Sequence, residues 1–97
     1  MAGDALEAGA VIDNAARQRF EMPVQGEIAF ADYRVRPGLL LIDYVETPPE
    51  LRGGGVGGRL MQGLLEIVRA RGLKVAPLCP YADAYIRRHP QYQDLVA

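Results

Sequence analysis

Before a run of glycines this chain shows imperfect apolar–polar alternation and one nearly continuous apolar run, and just after the glycines apolar positions repeat with a period near 3.6. Arg17–Val24 (RQRFEMPV) reads as a short strand with Phe20 and Met22 on one face. Gln25-Gly26 is a turn signal. Glu27–Arg36 (EIAFADYRVR) is the next strand, with Ala29, Ala31, Tyr33 and Val35 on one face and Ile28 and Phe30 on the other. Pro37-Gly38 fits the middle of a type II turn, where proline presets the first position and glycine takes positive φ. Leu39–Val45 (LLLIDYV) is almost wholly apolar, which predicts a central strand covered on both faces. Pro48-Pro49 ends it, since neither residue can donate to a ladder.

A helix begins in the glycine-rich segment 52–58 and runs to about Arg71. Leu60, Leu64 and Val68 form one stripe with Met61 and Leu65 beside it, and Arg59, Gln62, Glu66 and Arg69 lie opposite. Gly72 suits its C-terminal cap. Leu73–Leu78 (LKVAPL) is a strand, which completes a strand–helix–strand unit of the kind that pairs its strands in parallel. A short helix over about 81–88 is stopped by Pro90. The fold class is α+β: a mixed, mostly antiparallel sheet with one long helix and a C-terminal helix. Residues 1–16 read as a flexible lead-in and residues 17–97 as a single domain.

Composition narrows the function. No apolar run is long enough to span a bilayer, and Met1–Gly9 has acids but no base, unlike a secretory signal. A cytoplasmic location is expected, with no membrane partner. The single cysteine, Cys79, excludes an internal disulfide and a multi-cysteine zinc site, so no metal is expected. Residues 1–50 hold nine acids and four bases, whereas residues 51–97 hold three acids and seven bases. The second half therefore suits an anionic ligand, although it is not basic enough for nucleic acid.

The segment from Arg52 to Arg59 reads R-G-G-G-V-G-G-R. Its glycines let backbone approach a ligand closely, and the first N–H groups of the following helix lack internal partners, so the mouth of the helix favours a phosphate. Arg52 and Arg59 flank it and add charge-assisted donors. Gly53 and Gly58 have the spacing of a Walker loop, but Arg59-Leu60 stands where lysine and hydroxyl are needed. Gly53, Gly55 and Gly58 also fit a dinucleotide fingerprint, but that motif follows directly on a strand, and here Pro48-Pro49 and further residues intervene. The remaining pattern, R-x-x-G-x-G, is met by Arg52, Gly55 and Gly57.

In that pattern the stretch from Leu39 to Leu73 resembles the cofactor-binding motif of the GNAT acetyltransferases. E-T-P-P-E-L-R-G-G-G-V-G, with the later P-L-C-P-Y-A and Y-I-R-R-H-P-Q-Y, is similar to very small stand-alone proteins of that kind, over about Arg17 to Val96. The resemblance implies an acyl-CoA-binding unit with acetyl-CoA as cofactor. The diphosphate would lie on Arg52, Gly53, Gly54, Gly55, Val56, Gly57, Gly58 and Arg59. The pantetheine arm would lie between the strands flanking the helix, with backbone near Val45 and Thr47 meeting its amides. Pro48-Pro49 fit a splay of those strands.

Acetyl transfer to an amine needs a base, donors for the developing oxyanion, and an acid for the leaving thiolate. Cys79 falls where the acetyl group should sit, and the resemblance implies a nucleophile there; a thiolate would have to be stabilised. Tyr85 resembles the helix tyrosine that acts as acid in many such enzymes, and Glu46, at a strand end, the carboxylate that acts as base. His89 is a further proton-transfer candidate, and Arg87 and Arg88 are candidates for a ribose phosphate. With no room for extra N-terminal helices before Arg17, the acceptor site should be open to a polyamine, another small-molecule amine or a protein lysine. A non-enzymatic acyl-CoA-binding or sensing module is the alternative. The sequence leaves the oligomeric state open, and a monomer is plausible.

Overall fold

Two-residue turns of the expected kind build the sheet. In the computed structural model, which describes residues 8–97, Gln25 and Gly26 both have positive φ, 49° and 78°. That is the type I′ pattern that matches the twist of a hairpin. Gly38, at φ 69°, closes the next turn. These turns join β2 (Arg19–Val24), β3 (Glu27–Arg36) and β4 (Leu39–Glu46). The helix α1 (Val56–Ala70) leads to β5 (Lys74–Pro77), and α2 (Pro80–Arg87) follows. Spatial order is β1 (Ile12–Asn14), β2, β3, β4, β5, antiparallel except for the parallel pair β4–β5. The mixed, mostly antiparallel α+β architecture is as expected.

Part of the expected lead-in, residues 1–7, lies outside the described residues. Its remainder contributes an edge strand, β1 (Ile12–Asn14), paired with β2. Asp13 ties that strand down, accepting from the buried Tyr33 hydroxyl at 2.5 Å and pairing with Arg71 at 2.8 Å.

The core forms on one side of the sheet only. Phe20, Met22, Ala31, Leu40, Ile42 and Val75 are buried beneath α1, and Ala82 and Ile86 of α2 join the same cluster. Two expectations need correction here. β4 is covered on one face, not both: Leu40 and Ile42 are buried, but Leu39 and Leu41 only partly, and Tyr44 is 49% exposed. Val35 shares a face with Ala29, Ala31 and Tyr33 in pattern, yet it is 53% exposed. β2 pairs with β3 only as far as Arg19↔Asp32, so Val35 stands beyond the end of its neighbour.

α1 buries the anticipated stripe, with Leu60, Met61, Leu64, Leu65 and Val68 inaccessible. Gly72 ends it at φ 69°. Its N–H reaches Arg69 O at 3.0 Å and the Leu73 N–H reaches Val68 O at 3.1 Å. Those two bonds make a Schellman cap.

The detail that shapes the site is where β4 and β5 part. Asp32 partners Tyr44 while the next residue, Tyr33, partners Ile42, so Asp43 is an extra residue that kinks β4. The β4–β5 register ends at Ile42↔Pro77. The Leu78 and Cys79 N–H groups both close on Ile42 O at 3.0 Å. Beyond Ile42, β5 supplies no partner to β4. The parting therefore falls at this bulge and at Pro77, upstream of Pro48-Pro49.

Candidate functional site

The glycine run makes a loop that no other residue type would form cheaply. Gly53 and Gly55 have φ of 86° and 85°, in the left-handed region. Gly55 is the N-cap of α1 and offers no capping side chain. The Arg59 N–H takes the Gly55 carbonyl at 3.0 Å as the first intrahelical bond. The N–H groups of Val56, Gly57 and Gly58 precede it and point out of the helix mouth.

A cavity of about 450 Å³ opens at this mouth, lined by Val45, Thr47, Arg52, Gly53, Gly55, Val56, Gly57 and Tyr81. Seven of the residues expected to hold a cofactor thus meet in one place. The other three, Gly54, Gly58 and Arg59, are not among the lining residues. Gly58 faces the Tyr85 ring, where an added Cβ would lie 3.7 Å away. Arg59 lines a separate depression of about 290 Å³ with Gly9, Val11, Gln62 and Glu66.

Arg52 links the cavity to the end of β4. Its Nε donates to Thr47 O at 3.2 Å and its Nη2 to Glu46 Oε2 at 3.3 Å. The other oxygen of Glu46 accepts from the Tyr44 hydroxyl. That bond, and the carboxylate's charge, raise the Tyr44 pKa above its ordinary value.

The remaining candidates lie on or beside α2. Cys79 is 6% exposed and forms the N-cap of α2. Its own N–H and C=O are used by Ile42 O and Asp83 N at 3.0 Å. Tyr85 stacks on His89 with ring centroids 3.8 Å apart, and burial raises its pKa. His89 Nδ1 lies 2.7 Å from Tyr85 O, so the pair is tied together at the end of α2. Arg87 pairs with Asp83 and Arg88 bonds back to Ala84 O. Neither Cys79, Tyr85 nor Glu46 is among the residues lining the cavity.

Tyr81 was not singled out from sequence, and it is the tyrosine that lines the cavity. A Cβ on Gly57 would meet its hydroxyl at 2.6 Å. Burial again raises its pKa, opposed by the charge of Arg88. The available signal was the spacing of Tyr81 and Tyr85, four apart and therefore on one helix face, opposite a helix start built of glycine.

The model of a GCN5-related N-acetyl-transferase family matches residues 19–95, from the first residue of β2 to the last turn after α2. The chain belongs to this GCN5-related N-acetyltransferase family. It is also similar to N-alpha-acetyltransferase 80 of Mus musculus, 40% identical over 58 residues that make up 60% of this chain and 18% of the mouse protein. The chain therefore matches less than a fifth of that relative's length. The span matched to the family takes in the glycine loop, the parting of β4 and β5, and every side chain of the cavity. Among the described residues, no group of three or more His, Cys, Asp or Glu side chains is placed to hold a metal ion. No described helix is long and apolar enough to cross a membrane.

Proposed function

We propose that this chain binds acetyl-CoA in the cavity at the mouth of α1 and moves its acetyl group to an amine. One observation carries the reading: in a chain of this family, the glycine loop, Arg52, Val45 and Thr47 line a single cavity. The residues fit a diphosphate on physical grounds. Gly53 and Gly55 hold the loop backbone in a conformation that leaves the N–H groups of α1 pointing outward. Arg52 adds a fork of donors on the same side. Past Ile42, the edge of β4 on the β5 side has no strand partner, so its backbone around Val45 is open to amide groups of a pantetheine arm.

Bound there, acetyl-CoA would supply an activated thioester. Glu46 ends β4 beyond that parting, and it would take the proton that an attacking ammonium must lose. The new N–C bond forms as the C–S bond breaks, and the leaving sulfur needs a proton. Tyr81, which lines the cavity, and Tyr85, one turn further along α2, are the donors at hand. Cys79 offers a second route, in which its sulfur takes the acetyl group first and passes it to the amine. The acceptor is a small-molecule amine, a polyamine or a protein lysine.

The second reading is a non-enzymatic acyl-CoA-binding module. It is favoured by the placement of Cys79, Tyr85 and Glu46 outside the cavity lining.

Incubation with labelled acetyl-CoA and a panel of amines, read by intact mass and by thiol release, tests the proposal. Amine-dependent thiol release is expected, and a label on Cys79 would identify the covalent route. Tight binding without release by any amine would contradict transfer and support the binding module.

A further inference from the structure

We propose that Arg52 is shared between Glu46 and the cofactor's diphosphate, so that loading the cavity releases Glu46 to receive the acceptor as a cation. The inference rests on the coenzyme A reading of the cavity.

Both partners compete for the same part of one guanidinium. Arg52 lines the cavity, and its side chain is 60% exposed, free to reorient. A guanidinium can take an oxyanion with two hydrogen bonds along either of two edges, Nε with Nη2 or Nη1 with Nη2. On the Nε–Nη2 edge, Nη2 is the donor held by Glu46 Oε2. Nε is engaged as well, on Thr47 O at 3.2 Å. A diphosphate that takes this edge displaces Glu46, whereas one held through Nη1 and the second N–H of Nη2 would leave Glu46 in place and binding by E46Q unchanged. The diphosphate's greater charge and the adjacent N–H groups of α1 favour it in that exchange.

Glu46 then keeps Tyr44 on one oxygen and presents the other. A carboxylate that has just lost a cation is a receptor for a protonated amine. The acceptor thus enters after the cofactor, with Tyr44 as a positioning residue that fixes the carboxylate's orientation. Neutral or anionic nucleophiles are discriminated against at this step.

Calorimetric titration of coenzyme A into the wild-type protein, E46Q, R52A and the double variant tests the coupling. An exposed pair of this kind is worth up to about 1 kcal/mol, so E46Q should bind coenzyme A about two- to fivefold more tightly than wild type. R52A should bind more weakly, and adding E46Q to R52A should change nothing further. Unchanged or weaker binding by E46Q overturns the inference. So does a tightening that persists in the R52A background, which would mark a long-range charge effect with no shared donor. Those outcomes leave the cavity assignment standing; absence of binding by the wild-type protein overturns the cavity assignment and the inference together.

Discussion

Tyr81 packs its hydroxyl against the backbone of Gly57, so closely that a Cβ at Gly57 would stand 2.6 Å from the oxygen. This contact joins α2 to the first turn of α1 and closes one wall of the cavity. The glycine run therefore has two separate reasons. At positions 53 and 55 it supplies positive φ, and at position 57 it makes room for a side chain.

Gly57→Ala separates binding from stability. The atom that must give way is the far end of a side chain that can turn, and alanine is favoured over glycine within a helix by about 1 kcal/mol. Urea denaturation should find stability within about 1 kcal/mol of wild type. Coenzyme A affinity should fall on the order of tenfold, because the displaced Tyr81 ring moves the cavity wall. Unchanged affinity would mean that this wall does not touch the ligand.

Gly55→Ala should behave in the opposite way. Gly55 holds φ 85°, a conformation that costs an alanine about 1–2 kcal/mol. Denaturation should show that loss. Gly54→Ala is the control: its φ is not in the left-handed region and its Cβ would make an ordinary 3.5 Å contact with Leu51 O. It should cost less than about 0.5 kcal/mol.

Stability should fall steeply in alkali. Burial raises the Tyr33 hydroxyl from 10 to about 12, helped by its bond to Asp13. Burial does the same for Tyr92, also to about 12, helped by its 2.8 Å bond to Glu66. A folded value above the unfolded one means the unfolded chain loses these protons first. The stabilisation is thus complete below pH 10 and disappears between pH 10 and 12. Each tyrosine should account for on the order of 1–2 kcal/mol across that window. Urea midpoints followed from pH 9 upward check this. Tyr33→Phe should lower the midpoint at pH 9 and flatten its decline, since the titrating group is gone.

Much of the sheet was legible because its punctuation is local. Glu27–Arg36 was read to the residue, bounded by Gln25-Gly26 and Pro37-Gly38, whose left-handed glycines leave little freedom. The stripe of α1 was legible because Leu60, Leu64 and Val68 repeat at helical spacing. β1 carries no such signal: Ile12–Asn14 is three residues long, mostly polar, and fixed by Asp13 reaching Tyr33 and Arg71. The apolar run of β4 suggested two covered faces, but periodicity says nothing about which side the helices take.

The site divides the same way. The loop residues of the cavity follow from backbone chemistry, which sequence displays. Arg59 does not join them: it stands a full turn along α1 from the N-cap and lines a different depression. The choice between Tyr81 and Tyr85 depended on how α2 sits against α1. That is set by the tight fit at Gly57 and the stacking of Tyr85 on His89, neither of which any spacing encodes.

The most direct measurement compares coenzyme A with pantetheine, which lacks the diphosphate, by calorimetry on the same protein. If outward-pointing N–H groups and Arg52 grip the diphosphate, coenzyme A should bind at least about a hundredfold more tightly, since two to three charge-assisted bonds are lost in pantetheine. Equal affinity for the two, or no heat with coenzyme A, would contradict the account.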